Sequence, residues 1–201
     1  ARSIVMGLRY ANHDAYVVGG CVRDSLLGIK PKDWDICTSA TPEEMKEYFS
    51  RNHIKTIDTG LKHGTITVLL EGGERYEVTT FRVDGNYSDN RHPDRVEFVE
   101  SIAKDLSRRD FTINAMAFNS AGLIDPFHGR EDLERGVITC VGNPDHRFQE
   151  DALRILRALR FASTYGFKID DKTAQSIHNN KDKLCNIAAE RIQSELCKML
   201  Q

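Results

Sequence analysis

Two acidic residues separated by one position, Asp33 and Asp35, are the part of this sequence that most directly indicates chemistry. They open a β-type run, and alternate side chains of a strand share a face, so both carboxylates are predicted to point the same way. Carboxylates held that close repel each other unless a cation lies between them, and a hard divalent metal suits oxygen ligands. The pair therefore predicts a metal site, although an isolated Asp-x-Asp is also typical of a solvated strand edge or a turn.

A third carboxylate, Glu77, lies within another β-type run, from Arg75 to Arg82. An acid among strand-forming residues is costly unless it is solvated or paired with a metal. Glu77 is therefore the candidate third carboxylate of a two-metal site, which clamps the attacking hydroxyl and the leaving pyrophosphate of an in-line phosphoryl displacement. The alternative is an exposed glutamate paired with a cross-strand base.

A pair of glycines, Gly19 and Gly20, follows a β-type run and precedes a helical stretch. Backbone N–H groups in such a turn can approach a phosphate at the start of the helix. Arg23, in the first turn, could add further donors to the same anion. A glycine pair after a strand is also common in tight connections that bind no ligand.

Asp110 and Asn114 are four residues apart, so on a helix they would share a face and could contact ribose hydroxyls. Arg109 is placed to meet a phosphate. The alternative is the start of an amphipathic helix with charged capping residues.

Arginines recur every third residue in the segment that follows Glu150 and Asp151. On one continuous helix they would fall close together with Glu150 and form a repelling ridge, unless an anion lies there. The three are Arg154, Arg157 and Arg160. The alternative is a surface helix with an ordinary Glu150–Arg154 pair.

The elements that must position these residues change in character along the chain. Up to about Val141, short β-rich runs alternate with short helices. The sequence predicts a hairpin around residues 71–74 and a helix that begins with a capping box at residues 41–44. The candidate strands are Ala15–Gly19, Trp34–Thr38, Ile54–Asp58, Thr65–Leu70, Arg75–Arg82, Val96–Val99, Ala115–Asn119 and Val137–Val141.

From Arg147 to Leu200 the sequence shows helical periodicity and no strand-like run. We therefore expect an α/β domain over residues 1–142 and an all-helical domain over residues 143–201. Residues 82–95 are polar and aperiodic, which predicts a long loop of the kind that is often functional.

The composition narrows the class of protein. Of 201 residues, 40% are hydrophobic and 29% charged, as in soluble globular proteins, and no apolar run is long enough to span a membrane. Five scattered cysteines, none in a CxxC pair, argue against a disulfide framework or a zinc site and favour the cytoplasm. The formal charge of −2 does not indicate nucleic-acid binding, yet residues 147–168 carry five basic residues against two acidic ones.

Taken in order, these motifs resemble those of the class II tRNA nucleotidyltransferases, which include the CCA-adding enzymes and poly(A) polymerases. The matching motifs are GGxVRDxLLGxxxxDxD at residues 19–35, RRDFTINA at 108–115 and EDxxRxxRxxRF at 150–161. The resemblance implies a polymerase-β-like nucleotidyltransferase head with a twisted mixed sheet, followed by an all-helical neck. Family members usually continue into helical domains that hold tRNA, which we expect this chain to lack.

The resemblance also implies roles for individual residues. The catalytic carboxylates are expected to be Asp33, Asp35 and Glu77, with Asp33 and Asp35 as the metal ligands. Nucleotide contacts are expected from Gly20, Arg23, Arg109, Asp110, Asn114, Glu150, Asp151, Arg154, Arg157 and Arg160. Within this set, Asp151 and Arg154 are expected to recognise the Watson–Crick edge of the incoming base.

The implied activity is addition of CMP and AMP, from CTP and ATP, to the 3′ end of tRNA with two Mg²⁺ ions, or alternatively Mn²⁺. A-only addition, CC-only addition and bacterial poly(A) synthesis use similar motifs. The segment at residues 82–95 resembles the flexible loop of enzymes able to add the terminal A, which favours CCA addition. A catalytically silent RNA-binding protein on the same scaffold is the rival of another class, but three retained acids count against it. The oligomeric state stays open.

Overall fold

Runs of β-branched residues form a mixed sheet in the first part of the chain, and the C-terminal part is largely helical. The computed structural model describes residues 1–85 and 95–200. The strands are β1 Ala15–Val18, β2 Asp35–Thr38, β3 Lys55–Gly60, β4 Thr65–Leu69, β5 Arg75–Thr80, β6 Arg82–Asp84, β7 Val96–Phe98, β8 Ala117–Asn119, β9 Gly122–Ile124, β10 Val137–Ile138 and β11 Lys168–Ile169.

The helices alternate with these strands and then dominate. The α-helices are α1 Arg2–Tyr10, α2 Gly20–Leu26, α3 Pro42–Arg51, α4 Ile102–Ser107, α5 Gly129–Arg135, α6 Pro144–Glu150, α7 Leu153–Tyr165, α8 Asp171–Asn180 and α9 Ala189–Met199. Short 3-10 helices span Leu61–His63, Thr112–Asn114 and Lys181–Asn186. No helix of the described ranges is both long and apolar enough to cross a membrane.

Seven strands form the main sheet in the order β3-β4-β5-β2-β1-β8-β9. The β2–β5 pair is parallel and the other pairs are antiparallel, so the predicted mixed sheet is confirmed. The hairpin predicted around residues 71–74 joins β4 to β5, and its Gly72 and Gly73 have positive φ angles of 91° and 82°. Only glycine adopts such angles without strain, so the turn fixes the register of the two strands.

The capping box predicted for α3 is also confirmed. The Thr41 side chain accepts a hydrogen bond from the backbone N–H of Glu44, and the Glu44 carboxylate accepts one from the backbone N–H of Thr41. The apolar residues Met45 and Phe49 of α3 then pack on Ile66 and Val78 of the sheet. The local capping signal and the buried apolar face therefore both favour a helix at α3.

Three expectations differ from the structure. The segment after Arg147 does contain a strand, since β11 pairs in parallel with β10. The predicted loop at 82–95 begins as strand β6, which pairs with β7, while residues 86–94 lie outside the described residues. The continuous helix expected from residue 150 is broken between α6 and α7, where Asp151 is extended at φ −149° and ψ 104°.

The break between α6 and α7 has a local cause. The Asp151 carboxylate accepts a hydrogen bond from the backbone N–H of Leu153 at 3.0 Å. An aspartate that bonds the backbone two residues ahead competes with a continuing helix and stabilises the start of a new one. The sequence motif therefore spans two helices and the turn between them.

A shared apolar core crosses the predicted domain boundary at residue 142. Phe111 and Ile138, from the first segment, pack in one buried cluster with Phe148, Ile155 and Phe161 from the second. The boundary itself stays a prediction, but the two segments bury apolar surface against each other.

Candidate active site

The predicted carboxylates meet where the parallel pairing of β2 and β5 begins, at its amino-terminal end. Ile36 pairs with Val78 in parallel register, so one step back places Asp35 beside Glu77 on the same sheet face. Asp33 lies just before β2, which begins at Asp35 and not at Trp34 as expected. All three acids are exposed and line one cleft of about 850 Å³.

The charge of Asp33 acts on the neighbouring carboxylate Asp35. The pKa of the Asp35 carboxyl is raised above its ordinary value because the surrounding protein desolvates it. The charge of Arg109 opposes that rise, and the charge of Asp33 adds to it. Exposed carboxylates that repel one another form a donor set that suits a hard divalent cation. Within residues 1–85 and 95–200, however, no three His, Cys, Asp or Glu side chains are close enough to hold one metal ion together, so Glu77 as a third ligand stays a prediction.

The glycine pair forms the expected turn between β1 and α2. Gly19 has φ 74° and ψ −130°, and a Cβ atom added there would lie 2.8 Å from Nη1 of Arg109. Glycine is needed for the backbone angle, and the missing side chain lets the guanidinium of Arg109 lie against the turn. Arg109 also donates to Asp105 Oδ2 at 3.4 Å and affects the Asp35 pKa, so this cation lies between the glycine turn and the carboxylates.

Arg23, for which the sequence predicts a phosphate contact, has several partners within the protein. The side chain is buried and donates to Asn114 Oδ1 at 2.5 Å and to Asp24 Oδ1 at 2.8 Å. Its guanidinium also lies 5.0 Å from the ring centres of both Phe161 and Tyr165. These contacts join α2 to α7, and the phosphate contact of Arg23 stays a prediction.

Asp110 and Asn114 are brought together, but not on an α-helix. The backbone between them forms a 3-10 turn, and Asn114 Nδ2 donates to Asp110 Oδ1 at 3.1 Å. Asp110 is buried and pairs with Arg157 at 2.6 Å. Burial alone would raise the pKa of Asp110, but Arg157 and Arg154 outweigh it and lower the pKa to about 2.

The ridge of three arginines does not need an external anion. Each guanidinium has its own carboxylate: Arg154 pairs with Glu150 at 2.5 Å, Arg157 with Asp110 at 2.6 Å and Arg160 with Glu195 at 2.6 Å. Arg157 and Arg160 also lie over the ring of Phe161, at 5.3 Å and 4.2 Å from its centre. Their positions are therefore fixed before any ligand arrives.

Two residues of α9 that sequence reasoning missed complete this arrangement. Arg191 holds both carboxylate oxygens of Asp151, at 2.8 Å and 3.3 Å, and Glu195 holds Arg160. Glu195 is only 3% exposed, which is unusual for an acid in a C-terminal helix. The available signal was their i, i+4 spacing, which places them on one face of α9.

The comparisons with known proteins agree with this geometry. Residues 15–139 match the family model described as the poly A polymerase head domain, and residues 166–201 match one described as a probable RNA and SrmB-binding site of polymerase A. The CCA-adding enzyme of Lactobacillus helveticus (strain DPC 4571) is 50% identical over 99% of this chain and 49% of its own length. That of Ligilactobacillus salivarius (strain UCC118) is 51% identical over 100% and 48%.

Solved structures give the same picture. The Bacillus stearothermophilus CCA-adding enzyme in complex with CTP superposes with a TM-score of 0.88 at 47% identity, over 98% of this chain and 47% of that one. The Thermotoga maritima CCA-adding enzyme complexed with tRNA superposes with a TM-score of 0.80 at 35% identity, over 100% and 46%. The chain thus spans about half the length of the relatives that it matches.

Proposed function

We propose a function from the premise that this chain belongs to the nucleotidyltransferase family of the poly(A) polymerase head domain and the CCA-adding enzymes. Its activity is the template-independent addition of CMP and AMP, from CTP and ATP, to the 3′ end of tRNA in the cytoplasm. The observation that carries the proposal is the cleft in which Asp33, Asp35 and Glu77 lie next to Arg109 and the Gly19–Gly20 turn. A nucleotidyl transfer needs such acids and phosphate-binding groups side by side.

Asp33 and Asp35 are the residues that would hold the divalent ions, two Mg²⁺ or alternatively Mn²⁺, with Glu77 as the third carboxylate. When bound, such ions would neutralise the negative charge on the attacking hydroxyl and on the leaving pyrophosphate. The position of Asp33 and Asp35 in one cleft, with the charge of Asp33 raising the pKa of Asp35, supports this assignment, because a cation would relieve that repulsion.

The triphosphate half of the site consists of Gly20 and Arg109. The turn offers backbone N–H groups, and Arg109 adds a fork of donors beside Asp35. Arg23, expected to contact the phosphates, fixes α2 beside the turn through Asn114 and Phe161.

The base half consists of Asp151 and Arg154. An ionised carboxylate accepts about four hydrogen bonds, so Asp151 can accept from an exocyclic amino group while Arg191 still holds it. Arg154 is held against Glu150 and can present a donor to a ring nitrogen. CTP and ATP share this amino group beside a ring-nitrogen acceptor, whereas UTP and GTP present a carbonyl. Asp110, Asn114, Arg157 and Arg160 support this half through their own pairs.

In terms of organisation, residues 1–142 form the catalytic head and residues 143–201 the nucleotide-selecting neck. A-only addition, bacterial poly(A) synthesis and a non-catalytic RNA-binding role are separated from CCA addition by experiment.

The test is incorporation of single labelled nucleotides by the intact protein with Mg²⁺. We expect CMP to be added to tRNA that lacks CCA and AMP to be added to tRNA that ends in CC. Incorporation of AMP but no CMP would assign A-only addition, long A tails would assign poly(A) synthesis, and no incorporation with retained RNA binding would assign the non-catalytic role.

A further inference from the structure

Part of the main sheet has one covered face and one exposed face. On strands β3, β4 and β5, residues such as Ile66 and Val78 point toward α3 and are buried. The opposite face carries the exposed side chains of Lys55, Ile57, Arg75 and Glu77. These four residues share that face because Lys55 and Arg75 both pair with Leu69, while Ile57 and Glu77 both pair with Thr67. We call this surface the open face.

The open face is continuous with the catalytic carboxylates. Glu77 lies at its inner edge, beside Asp35 by the parallel register of β2 and β5. Ile57, Arg75 and Glu77 line the same cleft as Asp33 and Asp35. A molecule lying on the open face would therefore end at the carboxylates.

The order of the strands places the two substrates on opposite sides of these acids. The Gly19–Gly20 turn follows β1, on one side of β2, and the open face begins at β5, on the other side. In an in-line displacement the attacking and leaving oxygens are on opposite sides of the phosphorus atom. With the triphosphate at the glycine turn, the attacking hydroxyl must come from the side of β5.

The open face carries two exposed cations that can pair with phosphates, next to the acids Glu74 and Glu77 of the same cleft. Lys55 and Arg75 are exposed, and neither forms a salt bridge with a described carboxylate. Lys30 and Lys32 line the same cleft at the loop before β2. Ile57, which is 45% exposed, lies in the same cross-strand row as Glu77 and adds an apolar contact beside Lys55. Cations beside an apolar side chain match the phosphates and the ribose or base of a nucleotide strand.

We propose that the open face binds the last nucleotides of the RNA strand whose 3′ hydroxyl attacks, with Lys55 and Arg75 at its phosphates and Ile57 against a ribose or base. The assignment of the strand as the acceptor rests on the proposed function, because it uses the in-line geometry of nucleotidyl transfer. Binding of RNA to the face can be measured without turnover.

The test compares the double variant Lys55→Glu/Arg75→Glu with the matched control Arg51→Glu/Arg130→Glu in the intact protein. The control makes the same change of charge at exposed arginines on α3 and α5, away from the open face. Dissociation constants for tRNA lacking CCA are measured over a range of salt concentrations, with KM values for tRNA and for CTP. Thermal unfolding midpoints verify that both variants are folded.

We expect the open-face variant to raise the dissociation constant and the KM for tRNA by about tenfold or more, with the KM for CTP unchanged. The slope of log affinity against log salt should fall by roughly 1.5, because about 0.7–0.9 is lost for each phosphate contact. Ile57→Ser should raise the KM for tRNA by less and leave the salt slope as it is.

Equal tRNA affinities for the open-face variant and the control would overturn the proposal, as would a parallel rise in the KM for CTP. A changed elution volume or a lowered unfolding midpoint with unchanged tRNA affinity would instead assign the face to protein packing. If the unaltered protein adds no nucleotide, the proposed function fails, and the dissociation constants still decide whether this face binds RNA.

Discussion

Asp110 is the residue at which the predicted motifs meet. Its carboxylate accepts from Asn114 of the same motif and pairs with Arg157 of α7, while Asn114 in turn accepts from Arg23 of α2. All of these side chains except Arg157 are buried. A buried carboxylate that keeps its charge depends on such partners, so the stability of the protein should depend on that charge.

We therefore expect Asp110→Asn to lower the free energy of unfolding at pH 7 by about 2 kcal/mol, from a pKa of about 2 in the folded protein against an ordinary value near 3.8. Because folding lowers this pKa, the contribution is complete above the unfolded value near pH 4 and is lost as the pH falls toward 2. Denaturant unfolding at pH 7 and at pH 3 measures the difference between variant and parent.

Glu47→Gln is the control for this comparison, because it removes an exposed carboxylate whose pairing with Arg51 is worth little. If Asp110→Asn is no less stable than Glu47→Gln at pH 7, the charge of Asp110 does not stabilise the fold.

Asp35 is the carboxylate whose loss should affect chemistry and not folding. It is exposed and no described cation forms a salt bridge with it, so Asp35→Ala should leave the unfolding midpoint nearly unchanged. Loss of a group that stabilises the transferred phosphoryl should lower kcat by about 10²–10³-fold or more. The rate of CMP incorporation in a single turnover measures this loss, and Asp58→Ala, on the same sheet, is the control. Near-normal turnover by Asp35→Ala would refute the assignment.

At the scale of elements, α9 holds Asp151, the carboxylate that we propose selects the base. Asp151 lies in the turn between α6 and α7, and Arg191 of α9 forms a salt bridge with it at 2.8 Å. Asp151→Ala should lower the discrimination of CTP over UTP by about one to two orders of magnitude, since such a pairing is worth roughly 1–3 kcal/mol. Arg191→Gln should lower it by less, because the carboxylate remains but loses its fixed orientation.

The double variant Asp151→Ala/Arg191→Gln should discriminate no worse than Asp151→Ala alone, because Arg191 acts through Asp151. Lys198→Gln, which removes another cation of α9, is the control. Additive losses in the double variant would mean that Arg191 affects the base by some other route.

The elements with a strong local signal were predictable, and those that depend on distant contacts were not. The capping box of α3 and the hairpin of β4 and β5 are determined by residues that are adjacent in the sequence. The short strand β11 has no such local signal, because it is defined by its pairing with β10. Likewise the motif residues were identified by type and spacing, but the carboxylates that neutralise the three arginines come from three separate parts of the chain.

At the scale of the whole molecule, the shared core makes the predicted head and neck mutually dependent. Phe161 of α7 is 3% exposed and packs with Phe111 of the first segment, at 5.8 Å between ring centres. Phe161→Ala should therefore lower the free energy of unfolding by about 3–5 kcal/mol. Both segments should be destabilised together, so that the protein still unfolds in one transition.

The single tryptophan, Trp34, reports on the sheet, and far-ultraviolet circular dichroism reports mainly on the helices. We expect the two probes to give coincident unfolding curves for the parent and for Phe161→Ala. Leu159→Ala is the matched control, because this residue of the same helix is 43% exposed. Two separate transitions would mean that the domains fold independently at the predicted boundary.

The return of the chain from α7 to pair β11 with β10 has a consequence during synthesis. A nascent chain leaves the ribosome with its N-terminus first. When residue 142 has emerged, β10 and the apolar side chains around Phe111 have no cover, because α7 and β11 have not yet left the exit tunnel. A ribosome stalled there would present an intermediate with an exposed apolar surface that is prone to aggregation and proteolysis. This surface is covered only when residues near 169 are outside the exit tunnel, and until then it is available to chaperones.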